Sequence, residues 1–158
     1  MLNAIVGLIL ICGLGFLSLT EARAQNPHDY ALHKAIVAAQ NKMLTAAKGG
    51  NDDALASIHH DSMVELFLYK KKYNISDAVA QNPCQIAYEE LSVSAMFLMT
   101  YIQPNRQITG PADRARDGRE ADKWWMSHWE ALTQCERLLK LPQSSPVGPD
   151  RLTSIVPH

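Results

Sequence analysis

Apolar residues in this chain recur mostly every three or four positions, the repeat that one face of an α-helix requires, and no stretch shows the alternation of a strand. Leu32, Ile36, Ala39, Met43 and Ala46 or Ala47 form a first stripe, which predicts a helix over about 29–48 stopped by Gly49-Gly50. Asn51, Asp52 and Asp53 offer N-cap side chains for a second helix. Its inward stripe is Leu55, Ile58, Ser62 or Met63, Leu66 and Tyr69, and Val64, Phe67 and Leu68 widen its apolar surface. It is expected to end at Lys70-Lys71-Lys72, where cations suit the negative end of the helix dipole. Asn82-Pro83 opens a third helix carrying Ala87, Tyr88, Leu91, Ala95, Leu98, Met99 and Ile102. A fourth carries Ala121, Trp124, Trp125, His128, Trp129, Leu132, Cys135 and Leu139, and the breakers near Gly110 turn the chain back between the two.

Cys84 and Cys135 fall on the last two helices, and a disulfide between them sets a register. Counting away from the bridge at equal rise, an antiparallel pair places Leu91 opposite His128, Ala95 opposite Trp124 and Leu98 opposite Ala121. Small then faces large, as close packing prefers. The midpoint falls at Thr109-Gly110, where the turn residues stand. The expected fold is all-α: an antiparallel up-down four-helix bundle with one disulfide over residues 25–141, preceded by a signal peptide. In this register Trp125, Trp129 and Leu132 share the core with Leu91, Leu66 and Ile36, while Trp124 covers the seam between helices three and four.

Two stretches depart from the helical pattern. Residues 1–24 hold an apolar run over 5–19 followed by Ala22-Arg23-Ala24, the form of a secretory signal with cleavage after Ala24, although Met1-Leu2-Asn3 lacks a basic residue. The run is shorter than the roughly 20 residues of a spanning helix, so the mature chain is not expected to span a membrane. Cys12 leaves with the signal, and the remaining cysteine pair suits an oxidising space, periplasmic or extracellular. Residues 142–158 hold Pro142, Pro146, Gly148, Pro149 and Pro157 among serines and are expected to form a disordered tail. Asn74-Ile75-Ser76 fits a glycosylation sequon.

The net charge of −1 gives no basic surface for nucleic acid. There is no Cys-x-x-Cys-His, no Glu-x-x-His pair, no glycine-rich phosphate loop and no Gly-x-Ser-x-Gly elbow, so no catalytic residue and no cofactor is assigned. Three candidates for chemistry remain. His59 and His128 lie at similar depth in helices two and four and would be the ligands if a haem or transition metal were held between helices. Trp124 offers an aromatic patch, with Trp125 and Trp129 filling the core. Arg106, Arg114, Arg116 and Arg119 gather at the tip between helices three and four, interleaved with Asp113, Asp117 and Glu120, and suit an acidic partner. The expected function is a non-enzymatic exported helical protein that binds another protein in the cell envelope or outside the cell: an inhibitor, an immunity-type protein or an envelope accessory. The alternatives are a haem or metal carrier using His59 and His128, and a small exported enzyme with Glu65, His59 and His128 as its acid–base set.

Overall fold

The structure, a computed structural model, describes residues 27–76, 82–103, 111–143 and 150–157. The signal sequence and its cleavage site, Arg106 and part of the tail lie outside the described residues. Among the described residues four α-helices carry the fold, α1 (Pro27–Lys48), α2 (Asp52–Lys72), α3 (Pro83–Ile102) and α4 (Pro111–Leu139), and a 3-10 turn covers Leu152–Ile155. There is no strand among the described residues.

Local chemistry places the helix ends. At the end of α1, Gly50 adopts φ +61°, a left-handed conformation that glycine enters freely. Asn51 then accepts the Ala54 N–H through its side chain at 2.9 Å and caps α2. Asn82 caps α3 by accepting the Gln85 N–H at 3.0 Å, and the Gln85 side chain accepts the Asn82 N–H at 3.3 Å, so two orphan donors are met reciprocally. The lysine run forms the last turn of α2, as expected, and beyond it Asn74 takes φ 51° while Ile75 N–H returns to the Lys70 carbonyl.

The expected inward stripes are largely the buried ones, with Met99, Ile102 and Trp124 only partly buried. Ile36 and Met43 of α1, Leu55 of α2, Leu91 and Leu98 of α3, and Trp125 of α4 have no exposed surface. α3 packs against each of the other three helices, and its contact with α4 is the most extensive. Cys84 and Cys135 are joined in a disulfide with Cα atoms 4.7 Å apart. The partners step up α3 while stepping down α4. His128 donates to the Ala87 carbonyl at 2.8 Å, Ser94 to the Ala121 carbonyl at 2.8 Å and Arg114 to the Tyr101 carbonyl at 3.1 Å. His128 therefore meets Ala87 rather than the level of Leu91, and Ala121 meets Ser94 rather than Leu98, one helical turn from the pairing drawn through the cysteines. Helical side chains lean toward their own N-terminus, so a side-chain bridge does not mark the level at which two backbones face each other.

The tail departs from expectation. Residues 150–157 are ordered against the helices rather than disordered, with Leu152 and Val156 buried. The Asp122 carboxylate accepts the Thr153 N–H at 3.0 Å and its hydroxyl at 2.8 Å, anchoring the short turn against α1 and α4. Proline and serine content signals only that the segment cannot be a long helix; two well-placed apolar side chains suffice to dock it. Gly118 makes the room: a Cβ there would stand 2.9 Å from the Tyr101 ring and 3.3 Å from the Thr153 methyl. Gly118→Ala is therefore expected to lower stability by about 1–2 kcal/mol through overpacking, although alanine is the better helix former by about 1 kcal/mol. A thermal melt showing a gain instead would mean that Tyr101 and Thr153 move aside freely.

Candidate functional site: the groove between α1 and α2

A groove of about 1070 Å³ lies between α1 and α2 and is lined by residues of both helices. Its floor is small: Ala39, Ala46 and Ser62 are buried where longer side chains would fill the space. Ile58 and Tyr88 close it from below. Lys42 and Thr45 form one rim on α1, and His60 and Asp61 the other on α2, all exposed. Asp61 accepts a hydrogen bond from Ser57 at 3.1 Å. At one end of the groove the Tyr88 hydroxyl donates to Glu65, and burial, with that carboxylate beside it, pushes the phenol pKa up. The groove thus has an apolar floor and rims of mixed charge, the arrangement that takes the apolar face of a helix rather than a strongly charged ligand.

The sequence candidates are dispersed. His59 clasps α3: its Nδ1 lies 2.9 Å from Ser92 Oγ and 3.0 Å from the Ser92 carbonyl, and the serine hydroxyl donates to the His59 carbonyl at 3.1 Å. His128 is fully buried, with Nδ1 donating to the Ala87 carbonyl and Nε2 3.3 Å from the Gln40 side-chain amide. The Gln40 atom facing Nε2 is Oε1; a neutral ring protonated on Nδ1 accepts at Nε2, so the amide has to turn over to present its NH2 there. His128 stacks on Trp125 at 5.5 Å and meets Trp129 at 5.7 Å. The two histidines share no hydrogen-bond partner, and no cluster of three potential metal ligands occurs among the described residues. Glu65, His59 and His128 likewise each hold a separate partner.

At the tip, Arg114 donates to the Tyr101 carbonyl and lies over the Tyr101 ring at 5.0 Å, satisfying the end of α3. Arg116 pairs with Asp117 at 2.9 Å and Asp113 at 3.2 Å on its own helix. Arg119 is exposed. Trp124 is half-buried, with the Lys123 ammonium over its ring at 5.3 Å. Sequence reasoning did not single out the groove. Its signal was the run of small residues Ala35, Ala38, Ala39, Ala46, Gly49 and Ala54, scattered among larger ones on two segments. A buried polar knot was missed as well: Asp29 accepts from the Tyr69 hydroxyl at 2.5 Å and from the Asn82 amide at 3.1 Å, tying the start of α1 to α2 and α3.

Comparison with protein families, with curated proteins and with solved structures finds no match to this chain.

Burial gives His128 a measurable pH signature. It depresses the imidazole pKa from 6.5 to about 4, against a smaller upward pull from the Ala87 hydrogen bond. The unfolded chain takes up a proton near pH 6.5 while the folded ring resists to about 4, so this contribution is complete above 6.5 and lost as pH falls through that window. The loss is expected to reach about 3 kcal/mol. Urea titrations between pH 7 and 4 should show the slope shrink in His128→Gln; an equal slope in both proteins would assign it elsewhere.

Proposed function

We propose that this chain is a non-enzymatic, exported binding protein of the inhibitor, immunity or envelope-accessory kind, and that the α1–α2 groove receives an apolar helix of another protein. The observation that carries the reading is the groove itself, about 1070 Å³ over a floor of alanine and serine. A helix laid along it meets small side chains below and both charge signs on the rims, which favours an amphipathic segment of modest net charge. Export is supported by the apolar run over 5–19 with its small-x-small site, and by the disulfide, which persists in oxidising compartments. The up-down antiparallel arrangement is supported by the contacts that climb α3 as they descend α4, and by Asp29 near the start of α1 meeting Tyr69 near the end of α2. Trp124 and Arg119 on α4 are the competing sites, on different faces of that helix.

A displayed library of amphipathic helices tests the reading. Selected binders should lose affinity by at least about tenfold for Ala38→Trp, since Ala38 is exposed and lines the groove, so the substitution fills the groove without disturbing the core. Binders that tolerate Ala38→Trp and lose affinity for Trp124→Ala would move the site to α4.

A further inference from the structure

α2 is apolar on both sides. Its inward stripe, Leu55, Ile58, Ser62, Leu66 and Tyr69, is buried. On the opposite side Met63 is 43% exposed, Val64 42%, Phe67 64% and Leu68 55%. These four positions form two adjacent rows one turn apart, so they make a single patch rather than scattered apolar residues. A helix that had only to cover its own core would carry polar residues there.

The charges around the patch are ordered along the helix. Exposed Asp53 and Asp61 lie toward the N-terminal end of this outward side, and exposed Lys71 and Lys72 toward the C-terminal end. A surface with an apolar centre, an acidic end and a basic end is complementary to itself once one copy is reversed. Laid antiparallel and crossing between Val64 and Phe67, two α2 helices bring Lys71 of one copy to the level of Asp61 of the other, with the apolar rows between them. This is the isologous contact of a two-fold dimer, in which each residue pair occurs twice.

We propose that the outward face of α2 is a homodimer interface, built on Met63, Val64, Phe67 and Leu68 and closed at each end by Lys71 against Asp61 of the second copy. An anionic bilayer is the rival occupant, since apolar residues beside lysines also suit a lipid surface. It would accept the Lys71 end and repel Asp53 and Asp61 on the same side, whereas a reversed copy uses both ends. The proposal goes beyond the groove reading, with which it shares only Val64 and Asp61 at the groove rim. It is tested on the chain alone, so the two readings fail separately.

Sedimentation equilibrium of the purified, disulfide-bonded protein should show a monomer–dimer equilibrium in the micromolar range. Phe67→Ser with Leu68→Ser should weaken it by at least about tenfold with helical content unchanged, because neither side chain supports the monomer's core. Lys71→Glu and Asp61→Lys should each weaken it, and the two together should restore it, a rescue that requires the residues to meet across the interface. A monomer at all concentrations, or a dimer indifferent to these changes, overturns the proposal. Monomers that bind phosphatidylglycerol vesicles through Phe67 and Lys71 overturn it in favour of the bilayer.

Discussion

Trp125→Ala is expected to destabilise the protein by about 3–5 kcal/mol, and Trp124→Ala by distinctly less. The two residues are adjacent in sequence but turned about 100° apart on α4, so they cannot serve the same face. Trp125 has no exposed surface, meets Trp129 edge-on at 5.6 Å and stacks on the buried His128 ring. Its removal would leave a cavity bounded by aromatic neighbours and by the helix that carries the His128–Ala87 hydrogen bond, where collapse is difficult. Trp124 lies half-exposed beneath the Lys123 ammonium, an arrangement worth about 0.5–1 kcal/mol at an exposed site. Urea unfolding of the two variants decides the matter. Equal losses would mean that α4 is rotated from the orientation described.

The second large effect is expected at the disulfide. Cys84 and Cys135 are separated by 51 positions, and a bridge closing a loop of that length restricts the unfolded chain by about 4 kcal/mol in the chain-entropy account. Both cysteines are buried without exposed surface, so the cleaner variant is the double replacement Cys84→Ser with Cys135→Ser, read against reduced native protein. Each should lose about 4 kcal/mol, and peptide mapping without reductant should recover the linked pair. Two free thiols in native protein would remove the covalent anchor of the α3–α4 pair.

The four helices were legible because each carries an uninterrupted apolar repeat bounded by chemistry that stops or starts a helix: Gly49-Gly50, Asn51, and Asn82 with Pro83. The cysteine pair and the inward tryptophans followed from spacing. Register was less legible, since the bridge joins side chains that lean along their helices, and the backbone level had to be read from His128–Ala87 and Ser94–Ala121. The docked tail was hidden by its composition; Leu152 and Val156 are too few to make a periodic signal, and Asp122, which holds Thr153, gives no sign of that role from its own sequence neighbours. The histidines illustrate the other direction. His59 and His128 looked like a pair by depth alone, yet each closes a hydrogen-bonding need of α3, at Ser92 and at Ala87. The groove was the least legible feature, because a cavity is recorded in a sequence only by what is small. Alanines at 35, 38, 39, 46 and 54 read as ordinary helix formers until two helices are set side by side.

The central claim, that another protein is received between α1 and α2, is tested most directly by site-resolved photo-crosslinking in the cell that makes the protein. A photoreactive residue is placed in turn at Thr45 on the groove rim, at Phe67 on the outer face of α2 and at Arg119 on α4, all exposed positions. The account predicts an adduct with one other protein from Thr45, lost when Ala38→Trp fills the groove, and a self-adduct from Phe67. Adducts with another protein from Arg119 alone, with none from Thr45, would contradict it.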